Sequence, residues 1–331
     1  MKAMLIGLGH IAQVHIKCLI HLNIDIAAIC DIDMKKCEKA IADYGLLSVV
    51  YTDYHEMIEK EDAEIVHICT PHYLHPEMIQ NCLSRGKKVF TEKPLAISRT
   101  QLDNLRTMVN KTPESVGVCF QNRFSPAVEY IKRYLQDKKI EGIIASLSWD
   151  RGFNYYAGSD WKGKKEYEGG SVLINQAIHT IDLIRYLKGE PETVICHSAN
   201  DTLKEIIETE ESAFVLFEYS DGTRCILNAT NTPTIYFPVI VQIKTEDKHY
   251  ILMTGEDLFI DGKPIELAQS DLYFGKKAWG TNHLTCIRKF YEAVERNDKF
   301  QIEFEDAVET MNLLFCCYES NGKRQRVIKR S

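Results

Sequence analysis

The first 120 residues alternate short apolar runs with amphipathic stretches of helical length. The apolar runs are typical of strands that are buried on both faces, and the stretches between them repeat hydrophobic residues at helical spacing. The predicted strands are residues 2–7, 25–30, 47–50, 65–69, 88–91 and 116–120, and the predicted helices are residues 10–22, 33–44, a short segment from 53, 75–85 and 98–110. This alternation predicts an α/β domain with a doubly wound parallel sheet over residues 1–122.

After Phe124 the pattern changes to longer strands with hairpin-like links such as Ser220-Asp221-Gly222. Such strands predict a mainly antiparallel sheet. The predicted strands are residues 143–149, 194–200, 211–219, 223–231, 239–245 and 250–253, and the predicted helices are residues 125–137, 281–296 and 304–320. We therefore expect an α+β domain with an open, mainly antiparallel sheet over residues 123–331, whose last helices can pack back on the first domain. A chain of 331 residues exceeds the usual size of a single core, which agrees with two domains.

The first predicted strand runs into Gly7-x-Gly9-x-x-Ala12, at the point where the first helix begins. The first glycine permits a tight turn, the second lets the backbone approach a pyrophosphate, and the small third residue lets the helix pack closely on the strand. The free N–H groups at the start of the helix, around His10 and Ile11, then point at the phosphates. The order of strand, glycine turn and helix predicts a dinucleotide site.

Asp31 follows the second predicted strand, at the distance at which such sites bind the adenosine ribose. Its carboxylate can accept hydrogen bonds from the ribose hydroxyls and repels a 2′-phosphate, so NAD is favoured over NADP. Lys35 and Lys36 lie close by and can neutralise a phosphate, although their helical spacing is more typical of solvent-facing side chains.

Polar residues follow the carboxyl ends of the strands, where doubly wound sheets bind their ligands. The further candidates for cofactor contacts are Thr70, His72, His75, Glu92, Lys93 and Gln121. Pro94 holds Lys93 extended, so its ammonium can reach across the crevice; an ordinary exposed lysine is the alternative. His72 and His75 have the H-x-x-H spacing of metal ligands, but no further ligand cluster stands nearby. We therefore predict histidines near a nicotinamide and no metal site.

An apolar helix is predicted after Gly169 and Gly170, with Ser171 as its cap. Asn175, His179 and Asp182 follow at spacings i, i+4 and i+7 and would share one face of this helix. No Lys or Glu occurs between residues 171 and 184, so the polar stripe is expected to face a cavity or a partner. The alternative is a core histidine that is bonded to Asp182.

A stretch rich in aromatic and basic residues, from Trp149 to Lys162, lies between the first predicted strand of the second domain and the apolar helix. It contains Arg151, Tyr155-Tyr156 and Trp161-Lys162. Aromatic faces stack on sugar rings and cations attract carboxylates or phosphates, so this stretch is a candidate substrate loop, with Tyr156 and Trp161 as contacts. A folded hydrophobic satellite is the alternative.

Composition excludes several classes of protein. A net charge of −7 disfavours nucleic acid as the main partner, and the five basic residues among the last nine are expected in a solvated tail or terminal strand. No apolar run reaches the length of about 18 residues that a membrane span requires, and no signal peptide is recognised. The eleven cysteines contain no C-x-x-C pair and predict reduced thiols in a cytoplasmic protein.

Taken together, these motifs resemble the Gfo/Idh/MocA oxidoreductase family. The resemblance covers the early glycine turn, Cys69-Thr70-Pro71, Glu92-Lys93-Pro94 and the run from Gly169 to Asp182. It implies a Rossmann domain followed by a domain whose open sheet often makes dimer or tetramer contacts. It also implies that Lys93 and His179 face the nicotinamide and the substrate, that Thr70, Glu92, Gln121 and Arg123 lie nearby, and that the Lys93–Pro94 bond is cis.

Two positions depart from the family pattern. His72 stands where many members have asparagine after Thr-Pro, and Asn175 stands where the inositol-dehydrogenase-like members have aspartate. Because asparagine cannot carry a proton, a catalytic triad with an acidic member is not expected.

The expected reaction is reversible hydride transfer between the nicotinamide and a carbon that bears a secondary alcohol. His179 would remove the hydroxyl proton and Lys93 would stabilise the same oxygen, while Asn175 holds a neighbouring hydroxyl and Asp182 orients His179 or the substrate. The resemblance implies a sugar, sugar derivative or cyclitol, and Arg123, Arg151 and Lys162 favour an anionic one. The alternatives are a redox-neutral sugar-modifying enzyme with tightly bound NAD and a non-catalytic NAD-sensing regulator.

Overall fold

The computed structural model describes residues 1–109, 112–233, 235, 237–268, 272, 274 and 282–328. The chain divides into two compact units. The first consists of Met1–Ala96, Thr100–Gln121 and the described residues within 271–308. The second consists of Ile97–Arg99 and the described residues within 122–270 and 309–331.

The first unit contains a six-stranded sheet whose strands are all parallel. The spatial order is β3-β2-β1-β4-β5-β6, the doubly wound order in which the chain reverses direction between β1 and β4. The strands are β1 (Lys2–Ile6), β2 (Asp25–Cys30), β3 (Val49–Tyr51), β4 (Ile65–Ile68), β5 (Lys88–Thr91) and β6 (Val116–Val118). All six match predicted strands, and the residues of β4 and β6 are completely buried, as expected for continuous apolar runs covered on both faces.

The second unit contains a nine-stranded mixed sheet among the described residues, in the order β14-β13-β12-β11-β7-β10-β9-β8-β15. Only β7 and β10 pair in parallel; the other neighbours are antiparallel. The strands are β7 (Ile140–Ser148), β8 (Thr193–Ala199), β9 (Ser212–Glu218), β10 (Arg224–Thr230), β11 (Phe237–Thr245), β12 (Tyr250–Thr254), β13 (Asp257–Ile260), β14 (Lys263–Pro264) and β15 (Gln325–Arg326). The expectation of an open, mainly antiparallel sheet is thus confirmed, and β13 and β14 are strands that the sequence pattern missed.

Eleven α-helices lie in the described part of the chain, and the predicted long ones are all present. They are α1 (His10–His21), α2 (Met34–Tyr44), α3 (Tyr54–Lys60), α4 (His75–Ser84), α5 (Arg99–Val109), α6 (Pro126–Tyr134), α7 (Phe153–Ala157), α8 (Lys165–Glu168), α9 (Ile178–Lys188), α10 (His283–Arg296) and α11 (Phe304–Ser320). A π-helix, Val172–Ala177, directly precedes α9. The short α7 and α8 lie in the aromatic stretch and were not predicted, because one or two turns give no readable periodicity.

The basic C-terminal cluster contributes to the second sheet. Its Gln325 and Arg326 pair with β8, and Arg324 makes a salt bridge to Glu218, so part of the cluster is the terminal strand that was expected. The last basic residues, 329 and 330, lie outside the described residues.

All eleven cysteines are buried and free, which agrees with the expectation of reduced thiols. Within the part of the chain that the structure describes, no helix has both the length and the apolar character needed to cross a lipid bilayer.

Candidate functional site

Gly7 ends β1 in a conformation that only glycine accommodates. Its φ is +85°, and a Cβ at this position would lie 2.8 Å from Cγ2 of Thr70 and 2.9 Å from the carbonyl carbon of Cys69. Both the backbone angle and the close approach of the loop after β4 therefore require glycine. The tight turn predicted from the first glycine of the motif is present.

The start of α1 is open where the dinucleotide motif requires space. Gly9 is the N-cap of α1, and a Cβ there would meet no heavy atom of the protein within 4 Å. The protein's own packing therefore leaves room beside the free N–H groups of His10 and Ile11. An anion such as a pyrophosphate fits this position, because the helix dipole is positive there.

Asp31 is fixed by the backbone at the end of β2. Its Oδ2 accepts a hydrogen bond from Leu8 N at 2.8 Å and its Oδ1 accepts one from Asp33 N at 3.0 Å. Oδ2 retains a further acceptor position for a ribose hydroxyl. Lys36 Nζ lies 3.4 Å from Oδ1, so one of the two lysines considered as phosphate partners is paired with this carboxylate.

The buried side chain of His75 contacts both the loop after β4 and the loop after β5. It is completely buried, with Nδ1 at 2.7 Å from the carbonyl oxygen of Pro94 and Nε2 at 3.0 Å from that of Thr70. Because both ring nitrogens face backbone carbonyls, His75 holds the two loops together and offers no atom to a metal. His72 is 5% exposed, so neither histidine of the H-x-x-H pair is freely accessible.

A chain of buried polar side chains ends at Glu92. Tyr291 Oη lies 2.9 Å from His67 Nε2, His67 Nδ1 lies 2.9 Å from His15 Nδ1, and His15 Nε2 lies 3.2 Å from Glu92 Oε1. While His67 is neutral, two arrangements of protons satisfy all four groups: either each group donates towards the carboxylate, from Tyr291 to Glu92, or a charged His15 donates to both Glu92 and His67 and His67 donates to Tyr291. Both arrangements keep His67 neutral, which burial favours because it lowers the pKa of His67 well below its ordinary value.

The same chain keeps Glu92 ionised next to Lys93. Burial alone would raise the pKa of the Glu92 carboxyl, but the hydrogen bond and charge of His15, together with His283 and Lys93, hold this pKa well below its ordinary value. Lys93 follows at the end of β5, is half-buried, and has the cis bond to Pro94 that the resemblance implies. A fixed negative charge thus adjoins the candidate catalytic lysine.

Three ligand-type atoms, from His15, Glu92 and Cys119, lie within 4.8 Å of one another. His15 Nε2 and Glu92 Oε1 are hydrogen-bonded to each other, so a proton occupies the position that a metal would take. Burial also raises the pKa of the Cys119 thiol well above its ordinary value, which disfavours the thiolate that a metal needs. This cluster is explained by the hydrogen-bonded chain.

In the second unit, the two glycines before the apolar helix are required by close packing. A Cβ at Gly169 would lie 2.6 Å from the carbonyl oxygen of Ile97, and a Cβ at Gly170 would lie 1.9 Å from Tyr318 Oη. The predicted cap by Ser171 is wrong: its side chain makes no cap bond. Glu210 replaces it, because its Oε1 accepts hydrogen bonds from both Ser171 N and Leu173 N at 2.9 Å.

The helix that carries the polar stripe is not a regular α-helix. Its first part, Val172–Ala177, is a π-helix with more residues in each turn, and Ile178 starts the α-helical part. Asn175 and His179 are both half-buried, whereas Asp182 is only 1% exposed. The expected stripe of three residues is therefore reduced to Asn175 and His179 on the partly open side.

Asp182 and Arg123 form a buried ion pair. Arg123 donates from Nε to Oδ2 at 2.7 Å and from Nη2 to Oδ1 at 2.5 Å, and Thr310 Oγ1 donates to Oδ1 at 2.8 Å. The side chains are 2% and 1% exposed, and the guanidinium also lies over the ring of Tyr186. Both predicted substrate residues are thus occupied with each other inside the unit.

The two neighbouring tyrosines of the aromatic stretch have different surroundings. Tyr156 is 4% exposed, packs with Leu203 and Ile207, and its hydroxyl bonds Ser171 and Asn231. The hydroxyl of Tyr155, by contrast, lies 3.3 Å from Nδ2 of Asn175. Tyr156, the predicted substrate contact, belongs to the interior, and Tyr155 is the member of the pair that contacts the polar stripe.

Two cations flank the ring of Tyr155. The guanidinium carbon of Arg151 lies 4.2 Å from the ring centroid and Lys162 Nζ lies 3.9 Å from it. Trp161 is half-buried, and its ring centroid lies 5.9 Å from Lys162 Nζ. Burial lowers the pKa of Lys162, and Arg151 acts in the same direction. This aromatic stretch therefore concentrates positive charge beside Asn175, whose amide also bonds Glu168, a buried carboxylate that the sequence did not single out.

The similarity to known proteins spans both units. The chain spans about half the length of the curated relatives it matches. It is 30% identical over 191 residues to the inositol 2-dehydrogenase/D-chiro-inositol 3-dehydrogenase of Lactiplantibacillus plantarum. These 191 residues are 56% of this chain and 52% of that protein. The WlbA dehydrogenase from Bordetella pertussis, solved with NADH and UDP-GlcNAcA, has a TM-score of 0.84 at 20% identity, covering 99% of each chain. Levoglucosan dehydrogenase, solved with NADH, has a TM-score of 0.86 at 18% identity, covering 100% of both chains. At these identities the structural likeness concerns the fold.

Two family models match the chain. One describes an oxidoreductase family with an NAD-binding Rossmann fold, Gfo/Idh/MocA, and matches residues 1–120. The other describes the C-terminal domain of the same family and matches residues 128–236. Together with the 3-2-1-4-5-6 sheet order and the Gly7 turn, these matches establish that the chain belongs to the Gfo/Idh/MocA oxidoreductase family.

Proposed function

We propose that this protein is an NAD-dependent oxidoreductase that transfers hydride between the nicotinamide and a secondary alcohol or ketone carbon of a sugar, sugar derivative or cyclitol. The observation that carries the proposal is Lys93, which stands at the carboxyl end of β5 beside a buried, ionised Glu92. The relative from Lactiplantibacillus plantarum acts on inositols according to its name, and levoglucosan dehydrogenase acts on levoglucosan according to its name.

The residues at the strand ends fit NAD. The open start of α1 beyond Gly9 suits the pyrophosphate, and the fixed carboxylate of Asp31 suits the ribose hydroxyls. Thr70, His72, Glu92 and Gln121 remain the proposed neighbours of the nicotinamide half, with His75 holding the loop that carries Thr70. When bound, NAD supplies the hydride acceptor at C4 of the nicotinamide.

Two side chains carry the proposed proton chemistry. His179 accepts the proton of the substrate hydroxyl as a general base, since a neutral imidazole nitrogen is the acceptor best matched to neutral pH. Lys93 donates a hydrogen bond to the same oxygen and stabilises the negative charge that develops there. The ionised Glu92 beside Lys93 favours the charged ammonium that this role requires.

The aromatic stretch supports an anionic substrate. Arg151 and Lys162 place two positive charges around Tyr155, whose hydroxyl contacts Asn175. We propose that Asn175 binds a hydroxyl next to the reacting carbon, that Trp161 packs on the sugar ring, and that the two cations bind a carboxylate or phosphate. Arg123 no longer contributes to this preference, because Asp182 neutralises it.

The test is an absorbance assay at 340 nm of purified protein with NAD or NADP and matched pairs of neutral and acidic substrates, such as inositols, aldoses, their uronic acids and nucleotide sugars. We expect NADH formation, with the acidic member of a pair favoured by a lower KM. Copurified NAD together with substrate conversion but no net NADH would favour the redox-neutral alternative. NAD binding without any conversion would instead favour the regulator.

The second sheet also supports association of identical chains. Seven neighbouring strands, in the order β8-β9-β10-β7-β11-β12-β13, each contribute one residue to a row that points to the side that the helices leave uncovered. The residues of this row are paired in direct register: Ile195, Leu216, Ile226, Ile144, Gln242, Leu252 and Phe259. All are half-buried or exposed, six of the seven are apolar, and the groove beside the row has a volume of about 780 Å³. We propose that a second copy of the chain covers this apolar row in a two-fold dimer or in a tetramer, as the family resemblance implies.

The oligomer prediction is tested by light scattering. We expect the wild-type protein to have twice or four times the chain mass of 38.0 kDa, and Ile144→Lys to shift it towards the monomer, because the variant puts a charge at the centre of the apolar row. The matched control is Ile20→Lys, at an exposed position of α1 in the first unit. A wild-type monomer would contradict the proposed interface.

A further inference from the structure

Glu168 is a buried carboxylate next to the polar stripe that the proposed mechanism does not use. It ends α8, directly before Gly169, and its relative exposure is 0%. Oε2 accepts a hydrogen bond from the backbone N–H of Gly163, and Oε1 accepts one from Nδ2 of Asn175. A buried carboxylate with these two donors is fixed in position, and one donor belongs to a proposed substrate contact.

The amide of Asn175 is oriented by this contact. Its Nδ2 donates to Glu168 and also lies 3.3 Å from the hydroxyl of Tyr155, so both of its hydrogens are directed at protein groups. An ionised carboxylate can only accept, so the amide nitrogen must face Glu168 and the oxygen Oδ1 must face the other way. Asn175 then presents an acceptor, which suits a substrate hydroxyl that donates.

We propose that Glu168 is a positioning residue that sets the direction of the Asn175 amide, and thereby decides whether the substrate meets an acceptor or a donor. When Glu168 is protonated, its O–H can donate to Oδ1 of Asn175, and the amide turns by 180° to offer its N–H groups to the substrate. The inference rests on the proposed function, in which Asn175 binds the substrate. Asparagine cannot titrate. The group whose protonation changes the substrate contact is therefore Glu168, which acts through its hydrogen bond to Asn175.

The surroundings of Glu168 place this change near neutral pH. Burial raises the pKa of the Glu168 carboxyl to about 7, while the hydrogen bonds from Gly163 and Asn175 oppose the rise. Glu210 raises this pKa further and Lys162 lowers it. The tyrosines whose own pKa values respond to the charge of Glu168 are Tyr155, Tyr156 and Tyr318.

The direct test observes the amide itself. In ¹⁵N-labelled protein, the side-chain amide signals of Asn175, assigned by their loss in Asn175→Asp, are expected to shift with a midpoint near pH 7. The shift should vanish in Glu168→Gln and persist in the control Glu166→Gln, which changes an exposed glutamate of the same helix. Asn175 signals that stay constant between pH 5.5 and 8.5 in the wild type would overturn the proposal.

Stability supplies a second readout that needs no substrate. The folded protein binds the proton of Glu168 more tightly than the unfolded chain does. Ionising Glu168 therefore lowers the free energy of unfolding: this loss is absent below about pH 4.5 and is complete once the pH has risen past about 7. Relative to Glu168→Gln, the folding equilibrium constant of the wild type should therefore fall with rising pH, by up to about 300-fold. A difference between the two proteins that does not change with pH would contradict the titration of Glu168.

Kinetics with inositol and glucuronic acid as probes link the amide to the substrate. We expect the KM of the wild type to change around pH 7 and the KM of Glu168→Gln to lose this step, with kcat altered less. The exchanged pair Glu168→Gln with Asn175→Asp restores one carboxylate and one amide, and should recover more activity than Asn175→Asp, in which two carboxylates meet. Amide signals of Asn175 that shift with pH while the KM stays constant would refute the substrate role of Asn175 and leave the Glu168 contact intact.

Discussion

Replacing Lys93 by methionine is expected to lower kcat by about 10²–10³-fold, the usual loss when one donor to a developing oxyanion is removed. Methionine keeps much of the length and packing of the side chain but cannot donate a hydrogen bond or carry charge. Because the adenosine half of NAD is proposed to bind at Gly9 and Asp31, the Kd for NADH should change by only a few-fold. Stopped-flow or steady-state rates with a substrate identified by the assay measure the loss.

The control for Lys93 is Lys88→Met, at the first residue of the same strand and away from its carboxyl end. This variant should keep the wild-type kcat. His179→Gln should lower kcat by about 10²–10⁴-fold, and the double variant should be little worse than the worse single one, since the two side chains act on one proton transfer. A Lys93→Met protein that keeps more than a tenth of the wild-type kcat would remove Lys93 from the mechanism.

Replacing Asp182 by asparagine is expected to lower the free energy of unfolding by about 3–5 kcal/mol, the cost of leaving a buried charge without its partner. The guanidinium of Arg123 is 2% exposed, so water cannot replace the lost carboxylate oxygens. Urea unfolding followed by circular dichroism measures the change. The control is Asp43→Asn, which breaks the exposed pair with Lys39 and should have a much smaller effect.

Two further results distinguish a structural role of Asp182 from the substrate role that the sequence suggested. The double variant Arg123→Met with Asp182→Leu should recover part of the lost stability, because no unpaired charge remains. If Asp182→Asn instead raises KM and leaves unfolding unchanged, Asp182 holds the substrate and the ion pair contributes little.

The sequence predicted the first unit well because its determinants are local. Each strand of the Rossmann sheet is one apolar run, and the Gly7 turn depends on a motif that six consecutive residues contain. The doubly wound order then follows from the alternation of strands and helices. Lys93 could be placed at a strand end for the same reason, since Pro94 and a predicted strand flank it.

The second unit was predicted less well because its site depends on distant residues. Ser171 has the right identity for a cap, but Glu210, 39 residues away, binds the N–H groups of Ser171 and Leu173 at the start of the helix. The spacing of Asn175, His179 and Asp182 assumed a regular helix, and neither the π-helix nor the partner Arg123 is visible from that spacing. Glu168 carried one weak signal, a carboxylate directly before the two glycines that precede the apolar helix.

The last helix, α11, has a consequence for how the protein is made. Its Thr310 donates to Asp182 and its Tyr318 donates to Glu210, across separations of 128 and 108 residues. While the chain is being synthesised, the segment with Asn175 and His179 leaves the ribosome long before these two donors exist. A nascent chain that ends before Phe304 lacks both hydrogen bonds, so the polar stripe reaches its final form only after α11 has been synthesised.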